Sequence, residues 1–336
     1  MKKASFLKFV IFLIASVASL SAHPALAAES QAEKIRVAIS SISTSQVNVW
    51  VPLDTGLFKK HGLDVDLVYI SGAPVGVAAL VSGEVSITQG GVVGSITSNL
   101  KGAGTFIILG GADRFPYQLV VPQSIKQISD LKGKRFAVSR IGSADHFATM
   151  SVLPRFGLAP DKDLTIIQVG SVPSRFAALT NGSVMGALLI PPETIKAKEL
   201  GYRILANFMD IDIDFQQNGV YTTRQFINRR PDILRRFTSA YVEGNQYIHT
   251  NPKGAQKIMQ KYLQGDDKTM EETYNVIVVK STPKVPYPNK NGIQTILTFL
   301  QKSTPEAANA KPDDFIETRF IKELEDSGFI ARLYGK

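Results

Sequence analysis

Cysteine is absent from all 336 residues. That removes disulfide staples and cysteine-rich metal sites, so an exported form of this chain must hold together through its apolar cores. Histidine is nearly as scarce: beyond residue 27 the chain has His61, His146 and His249, far apart from one another. No H-E-x-x-H spacing occurs, and no metal is expected. The G-x-S-x-G elbow of serine hydrolases is missing too. Gly102-Ala103-Gly104 opens a G-x-G, but Ile107 stands where the third glycine belongs, and the run precedes a strand instead of following one. No dinucleotide cofactor is therefore expected. Basic residues are dispersed, without the aromatic interleaving of a nucleic-acid surface, so nucleic acid is not an expected partner.

The apolar run Phe9 to Leu20 falls short of the ~20 residues that span a bilayer. It follows Lys2, Lys3 and Lys8 and precedes Ala25-Leu26-Ala27, an A-x-A cleavage site. That order reads as a signal peptide over residues 1–27. No cysteine follows it to carry a lipid, so the expectation is a soluble periplasmic protein. The remainder is too long for one ordinary core and suits two lobes. With 44% hydrophobic and 20% charged residues it is globular. A formal charge of +9, part of it on the signal lysines, suits an anionic ligand or an acidic partner without deciding for either.

What is present is a repeated alternation. "IRVAIS" (35–40), "LDVDLVYI" (63–70), Val85 to Thr88 and "TFIILGG" (105–111) read as strands, with helices over 46–62, 73–83 and about 92–101 between them. A second series follows, with strands in 130–139, 164–170 and 183–190 and helices ending near Phe156 and Gly182. Residues 168–190 echo residues 69–87: strand, small-residue helix closed by glycine, strand. After "QNGVYTT" (217–223) come helices at 231–250, 252–263 and 291–301, the first two separated at Asn251-Pro252. The alternation predicts an α/β fold with parallel-type sheets flanked by helices.

Ligands of such sheets bind beyond the carboxyl ends of the strands, where helix N-termini point. Those corners are "SSISTSQ" (40–46), "SGAP" (71–74), "TQGG" (88–91), "RIGSADH" (140–146), "GSVPSR" (170–175) and "IPPE" (190–193). Serine and threonine at one corner would be simple helix caps. Six corners of one hydroxyl-rich chemistry, nearly devoid of Lys and Arg, instead describe a site for a small guest. Its candidate residues are Ser43, Thr44, Gln46, Ser71, Gly72, Gln89, Gly90, Gly91, Gly142, Ser143, Ala144, Asp145, Pro191, Pro192 and Glu193. Gly90 and Gly91 allow positive φ or a close backbone approach.

"GLFKKHGLDVDLVYISGAP" (56–74), "SISTSQVNVWVPLDTGLF" before it, "DLKGKRFAVSRIGSADHFA" (130–148), "GSVMGALLIPP" (182–192) and "RRFTSAYVEGNQYIHTNP" (235–252) carry a resemblance. They resemble the periplasmic substrate-binding proteins of ABC importers, in the nitrate/sulfonate/taurine/thiamine-precursor (NMT1/THI5-like) group. Ser86 and Met185 stand where many members of the group carry aspartate. The resemblance implies a two-lobed, type II periplasmic-binding-protein fold with a two-strand hinge near 115–117 and 216–218. Lobe I is then 28–115 with 219–336, and lobe II is 116–218. Tyr117, Asn218 and Gly219 join the candidate ligand-binding residues at these crossings. The implied protein is a monomer and not an enzyme; its partners are a small solute and an ABC permease with its ATPase subunit at the inner membrane.

The group takes small planar or anionic solutes. Helix N-termini suffice for an anion. Among Trp50, Phe115, Tyr117, Phe147 and Phe215, the residues Tyr117 and Phe215 are expected in the cleft and Trp50 and Phe147 in the core. A small organic anion, sulfonate or carboxylate, is the expected ligand, with a pyrimidine precursor of thiamine or another aromatic solute as the alternative. Two other classes remain: a partner of a membrane sensor, suggested by the arginines of "RQFINRRPDILRRF" (224–237), and an enzyme, suggested by Ser143, Asp145 and His146.

Overall fold

Runs of four to seven residues pair into two five-stranded sheets in the computed structural model, which describes residues 32–335. The expected signal peptide lies outside the described residues. The strands are β1 (Glu33–Ile39), β2 (Leu63–Tyr69), β3 (Ile87–Gly91), β4 (Thr105–Gly110), β5 (Gln118–Val121), β6 (Lys134–Val138), β7 (Leu164–Gln168), β8 (Gly186–Leu189), β9 (Arg203–Asn207) and β10 (Asn218–Thr223). The first sheet runs β2-β1-β3-β10-β4 and the second β7-β6-β8-β5-β9. Both are covered by helices. This is the two-sheet, type II periplasmic-binding-protein fold, and among the described residues no helix is long and apolar enough to cross a membrane.

The sheets are mixed, not purely parallel. β1 pairs in parallel with β2 and β3, whereas β10 runs antiparallel to β3 and β4. β5 likewise runs antiparallel to β8 and β9. The reason is the path of the chain. Parallel neighbours need a crossover, usually a helix. β5 and β10 are instead the first strands after the chain passes from one sheet to the other, and they enter head-on.

The two passages lie side by side. Gln217 N–H donates to the Ala112 carbonyl (2.9 Å) and Phe215 N–H to Asp113 (3.1 Å). Phe115 stacks on Phe215 with centroids 4.1 Å apart, and Phe215 on Phe147 at 5.1 Å. These rings pack with the core that joins the second sheet to one face of the first. A second core lies on the other face of the first sheet, under helix Pro231–Thr250. Trp50 is fully buried there and stacks on Tyr262 at 4.4 Å.

Several stretches depart from the expected elements, among them β5 and β9, which match no expected strand. The helix expected over 46–62 splits into Val47–Asp54 and Leu57–Lys60, because Gly56 takes φ 74° between them. Residues 264–285, which lie outside the expected helices, form helix Asp267–Thr273, a π-helical turn over Tyr274–Val278 and the short helix Val279–Ser281.

Candidate functional site

Four helices of nine residues each begin at one cleft between the sheets: Ala73–Val81, Val92–Leu100, Ala144–Val152 and Val172–Thr180. Their N-terminal residues Gly72, Ala73, Gly91, Ser143, Ala144, Ser171 and Val172 line it, with about 500 Å³ of empty space partly open to solvent. The loop before helix Val47–Asp54 adds Ser40, Ser41, Ser43 and Ser45. Side chains cap little here. Gly72 and Gly91 have none, and Ser143 makes no cap hydrogen bond; only Ser171 accepts, from Ser174 N–H. First-turn N–H groups and the positive ends of helix dipoles are therefore left facing a guest.

Of the expected residues, Ser43, Gly72, Gly91, Tyr117, Ser143, Ala144 and Asp145 line this cleft. Thr44 and Asn218 line a chamber that adjoins it. The other nine are not in either lining. Gln46 donates to Ser41 Oγ (2.9 Å) and Gln89 to the Ser45 carbonyl (3.2 Å), so both brace the serine loop from behind. Ser71 offers its carbonyl to Arg140 Nε (2.8 Å), and Gly142 N–H meets His146 Nδ1 (3.3 Å). Gly90 faces Gly219 across the β3–β10 pair, where a Cβ on either would strike Ser40 Oγ (2.4 Å) or the Leu109 carbonyl (2.5 Å). Pro191, Pro192 and Glu193 lie beyond β8, with a cis bond between the prolines.

Nor does the TQGG corner (88–91) need a left-handed backbone at Gly91. Gly91 has φ −61° and ψ 126°, open to any residue. What requires glycine is space: a Cβ would sit 3.1 Å from Ala144 Cβ, across the cleft. Phe215, expected in the cleft, is instead fully buried in the aromatic stack, and Tyr117 is the aromatic that lines it. Its hydroxyl accepts a long bond from Gln217 Nε2 (3.4 Å), and burial pushes its acidity far out of range, so it is a neutral phenol.

Arg175, at the end of the GSVPSR corner, is the one charged residue of the lining that the expected set left out. It is 2% exposed and lines the cleft. Its Nη1 donates to the Gly170 carbonyl (2.6 Å) and its Nη2 to Leu188 (3.2 Å), and Nη1 lies 3.5 Å from Asp145 Oδ2. Asp145 in turn accepts from Ser139 N–H (2.6 Å) and from Ser139 Oγ. A signal existed in the internal echo: "APVGVAAL" (73–80) aligns with "VPSRFAAL" (172–179), so Arg175 replaces Gly76 in an otherwise small-residue helix. The paired charges cancel, which leaves the helix termini as the uncompensated field of the cleft.

Glu193 is 4% exposed and its Oε2 has no partner. Burial raises its pKa from the ordinary 4.5 to about 7. The folded state therefore keeps a proton that the unfolded state gives up between these values. Its stabilising share is complete below pH 4.5 and is lost as pH rises through 7. We expect Glu193→Gln to be more stable than the parent by about 3 kcal/mol at pH 8 and equal to it near pH 4.5, read from urea melts at both values. Equal midpoints at pH 8 would show that the carboxyl is solvated.

Four of the five arginines of the basic run are engaged in ion pairs at the surface, Arg224 with Glu317 (2.8 Å) among them. Arg236 pairs with Glu33 (2.6 Å) and Asp232 (3.0 Å), Arg230 with Glu33, and Arg235 with Glu323 (2.6 Å). Ser143, Asp145 and His146 form no relay either: Asp145 is engaged by Ser139 and Arg175, and Ser143 Oγ has no hydrogen-bond partner. Among the described residues no group of three or more His, Cys, Asp or Glu could hold a metal ion.

The profile of the family described as NMT1/THI5 like matches residues 43–255. YtlA of Bacillus subtilis (strain 168), provisionally named a binding protein, is 26% identical over 248 residues, which are 70% of this chain and 73% of that one. A structure from Bordetella bronchiseptica RB50 superposes with TM-score 0.79 at 19% identity, over 89% of this chain and 98% of the other. The alkanesulfonate-binding protein SsuA of Xanthomonas axonopodis pv. citri, solved with MOPS bound, gives TM-score 0.70 at 16% identity, over 83% and 95%. The desulfurization enzyme DszB also has this fold (TM-score 0.64, 13% identity, 88% and 99%), so the fold alone does not choose between binding and catalysis.

Proposed function

Because the chain belongs to the NMT1/THI5-like family, we propose that it is the periplasmic solute-binding component of an ABC-type importer, closing on a small organic anion, a sulfonate or carboxylate, and delivering it to the permease. The observation that carries the ligand class is the convergence of four helix N-termini on a cleft of serines whose one buried cation, Arg175, is already paired. Such a site stabilises negative charge through fixed N–H dipoles without a free Lys or Arg. The lobes are 28–115 with 219–336, and 116–218, moving about the paired crossings. The Ser143, Asp145 and His146 arrangement gives an enzyme no assembled base and nucleophile, and most arginines of the run that suggested a sensor are paired within the chain.

One observation favours the alternative. Asp145 lines the cleft and could accept from the amino group of a pyrimidine, although Tyr117 is the one aromatic there to stack on it. A melt screen separates the two. A ligand at a hundredfold excess over Kd stabilises the folded state by about 2.7 kcal/mol, a shift of roughly 5–10 °C for lobes of this size. Sulfonates or carboxylates should give that shift, with nitrate and bicarbonate weak. A shift with pyrimidines alone would replace the ligand class and leave the binder reading standing. No shift across the panel, with protein whose denatured extract is free of ligand by mass spectrometry, would overturn both.

Closure has its own readout. Arg140 Nε reaches the Ser71 carbonyl (2.8 Å) and Lys196 Nζ the Gln264 carbonyl (2.7 Å), each bond tying one lobe to the other. We expect the radius of gyration in small-angle scattering to fall when the confirmed anion is added. An unchanged radius would favour a rigid unit.

A further inference from the structure

Ser71 and Gly142 were expected at the ligand, yet neither lines the cleft. They belong to a seam at its edge, where the corner after β2 meets the corner after β6. The Arg140 side chain crosses this seam from the second sheet to the first. It packs against Gly72, where a Cβ would stand 2.5 Å from Arg140 Cδ and 2.9 Å from its Cγ. Its Nε donates to the Ser71 carbonyl (2.8 Å). Gly72 has φ 85°, a backbone that glycine adopts without strain, and it leaves a bare seat for the arginine stem. Beside this seat, a Cβ on Gly142 would lie 3.5 Å from Pro74 Cγ and one on Gly170 would lie 3.5 Å from Ser71 Oγ, so the two corners fit closely.

Each end of the bond is fixed within its own sheet. On one side Ile70 N–H donates to the Ile39 carbonyl (3.0 Å) and Gly72 N–H to the Ser40 carbonyl (3.1 Å). On the other, Ile141 N–H donates to Gln168 Oε1 (3.1 Å) at the end of β7. A bond between two fixed ends forms in one relation of the sheets and is lost when they part. Arg140 is exposed and is not part of the cleft lining, so its bond adds to the closed form without contact with a solute.

We propose that Arg140 is a latch, a positioning residue that holds the closed form and sets how fast the solute leaves. This rests on the hinged-binder reading above and is independent of the class of solute. A hydrogen bond from a charged donor, taken at the low end of its range because the site is exposed, changes the closed fraction about tenfold. A bound solute escapes only after the lobes part, so the effect falls on release and not on association.

The chain has no cysteine, so Gly91→Cys with Ala144→Cys supplies its only two thiols. Cβ atoms at these positions stand 3.1 Å apart in the closed form, close to the roughly 3.5–4.5 Å of a disulfide. In the free protein under mild oxidant, that disulfide should form at a rate that follows the closed fraction. Arg140→Ala on this background should slow the trapping about tenfold. Arg140→Gln carries an amide nitrogen on Cδ, where arginine carries Nε, and should restore most of the rate. Neither substitution should move the melting temperature, since Arg140 is a surface residue. In the cysteine-free chain, calorimetry with methanesulfonate should give a Kd about tenfold weaker for Arg140→Ala and near the parental value for Arg140→Gln. Trapping at the parental rate in Arg140→Ala overturns the latch. Slowed trapping that glutamine does not rescue overturns it as well, because charge and not the bond would then hold the lobes. If the parent pair itself does not trap, the corners never meet, and the hinged reading fails and takes the latch with it. Trapping as expected without binding of methanesulfonate by the parent counts against the anion reading and upholds the latch.

Discussion

Arg175→Ala should melt well below the parent and bind no anion. The guanidinium is buried and bonds the carbonyls of Gly170 and Leu188, and it stands 3.5 Å from the buried Asp145 carboxylate. Removing it leaves that carboxylate without its counter-charge and two carbonyls without donors. Breaking a buried pair from one side costs about 3–5 kcal/mol. Binding goes with it, because Gly170 to Val172 is the corner where one of the four helices starts, and an uncompensated Asp145 repels an anion. Urea melts read the first effect and calorimetry with the confirmed ligand reads the second. A companion, Arg175→Met with Asp145→Leu, should recover part of the stability and none of the binding, since replacing both charges by apolar groups relieves the unpaired one. An alanine variant that melts and binds as the parent does would remove Arg175 from the site.

Gly91→Val should separate binding from folding. The backbone at Gly91 suits any residue, so the variant should fold and melt cooperatively. In the closed form, however, its Cβ would stand 3.1 Å from Ala144 Cβ and 3.5 Å from Ala144 N, at the start of an opposing helix. A real Cβ seldom comes so close, and valine adds two methyl groups beyond it. Overpacking of this kind costs about 1–3 kcal/mol, so ligand binding should weaken roughly 10- to 100-fold. Gly91→Ala should lose a few-fold only, because a shift of a few tenths of an ångström accommodates one methyl. In scattering, the valine variant should keep the larger radius of the free protein when ligand is present. Parental affinity in Gly91→Val would show that the two corners do not meet on closure.

Local sequence was enough for the fold class and for part of the lining of the candidate cleft. Short apolar runs alternating with glycine-closed helices marked strands and corners, and the hydroxyl-rich corners included Ser43, Gly72, Gly91, Ser143, Ala144 and Asp145, because a helix start is a local event governed by neighbouring residues. Which corner residues turn inward was not local. Gln46 and Gln89 belong to the same corners, yet they brace the serine loop from behind, and the strand pairing of Gly90 with Gly219 spends both glycines on close packing. Arg175 reads as a solvated helix residue by itself; the second sheet buries it by bringing Asp145, Gly170 and Leu188, from three separate stretches, around one guanidinium. Phe215 moved from expected ligand contact to core for the same reason, since its place depends on Phe115 in the other crossing, 100 residues away. The chain's own pattern thus determined which elements form and where they end. Only the tertiary structure decided which ends face one another, because the direction of each side chain at a corner is set by partners that the sequence does not bring near.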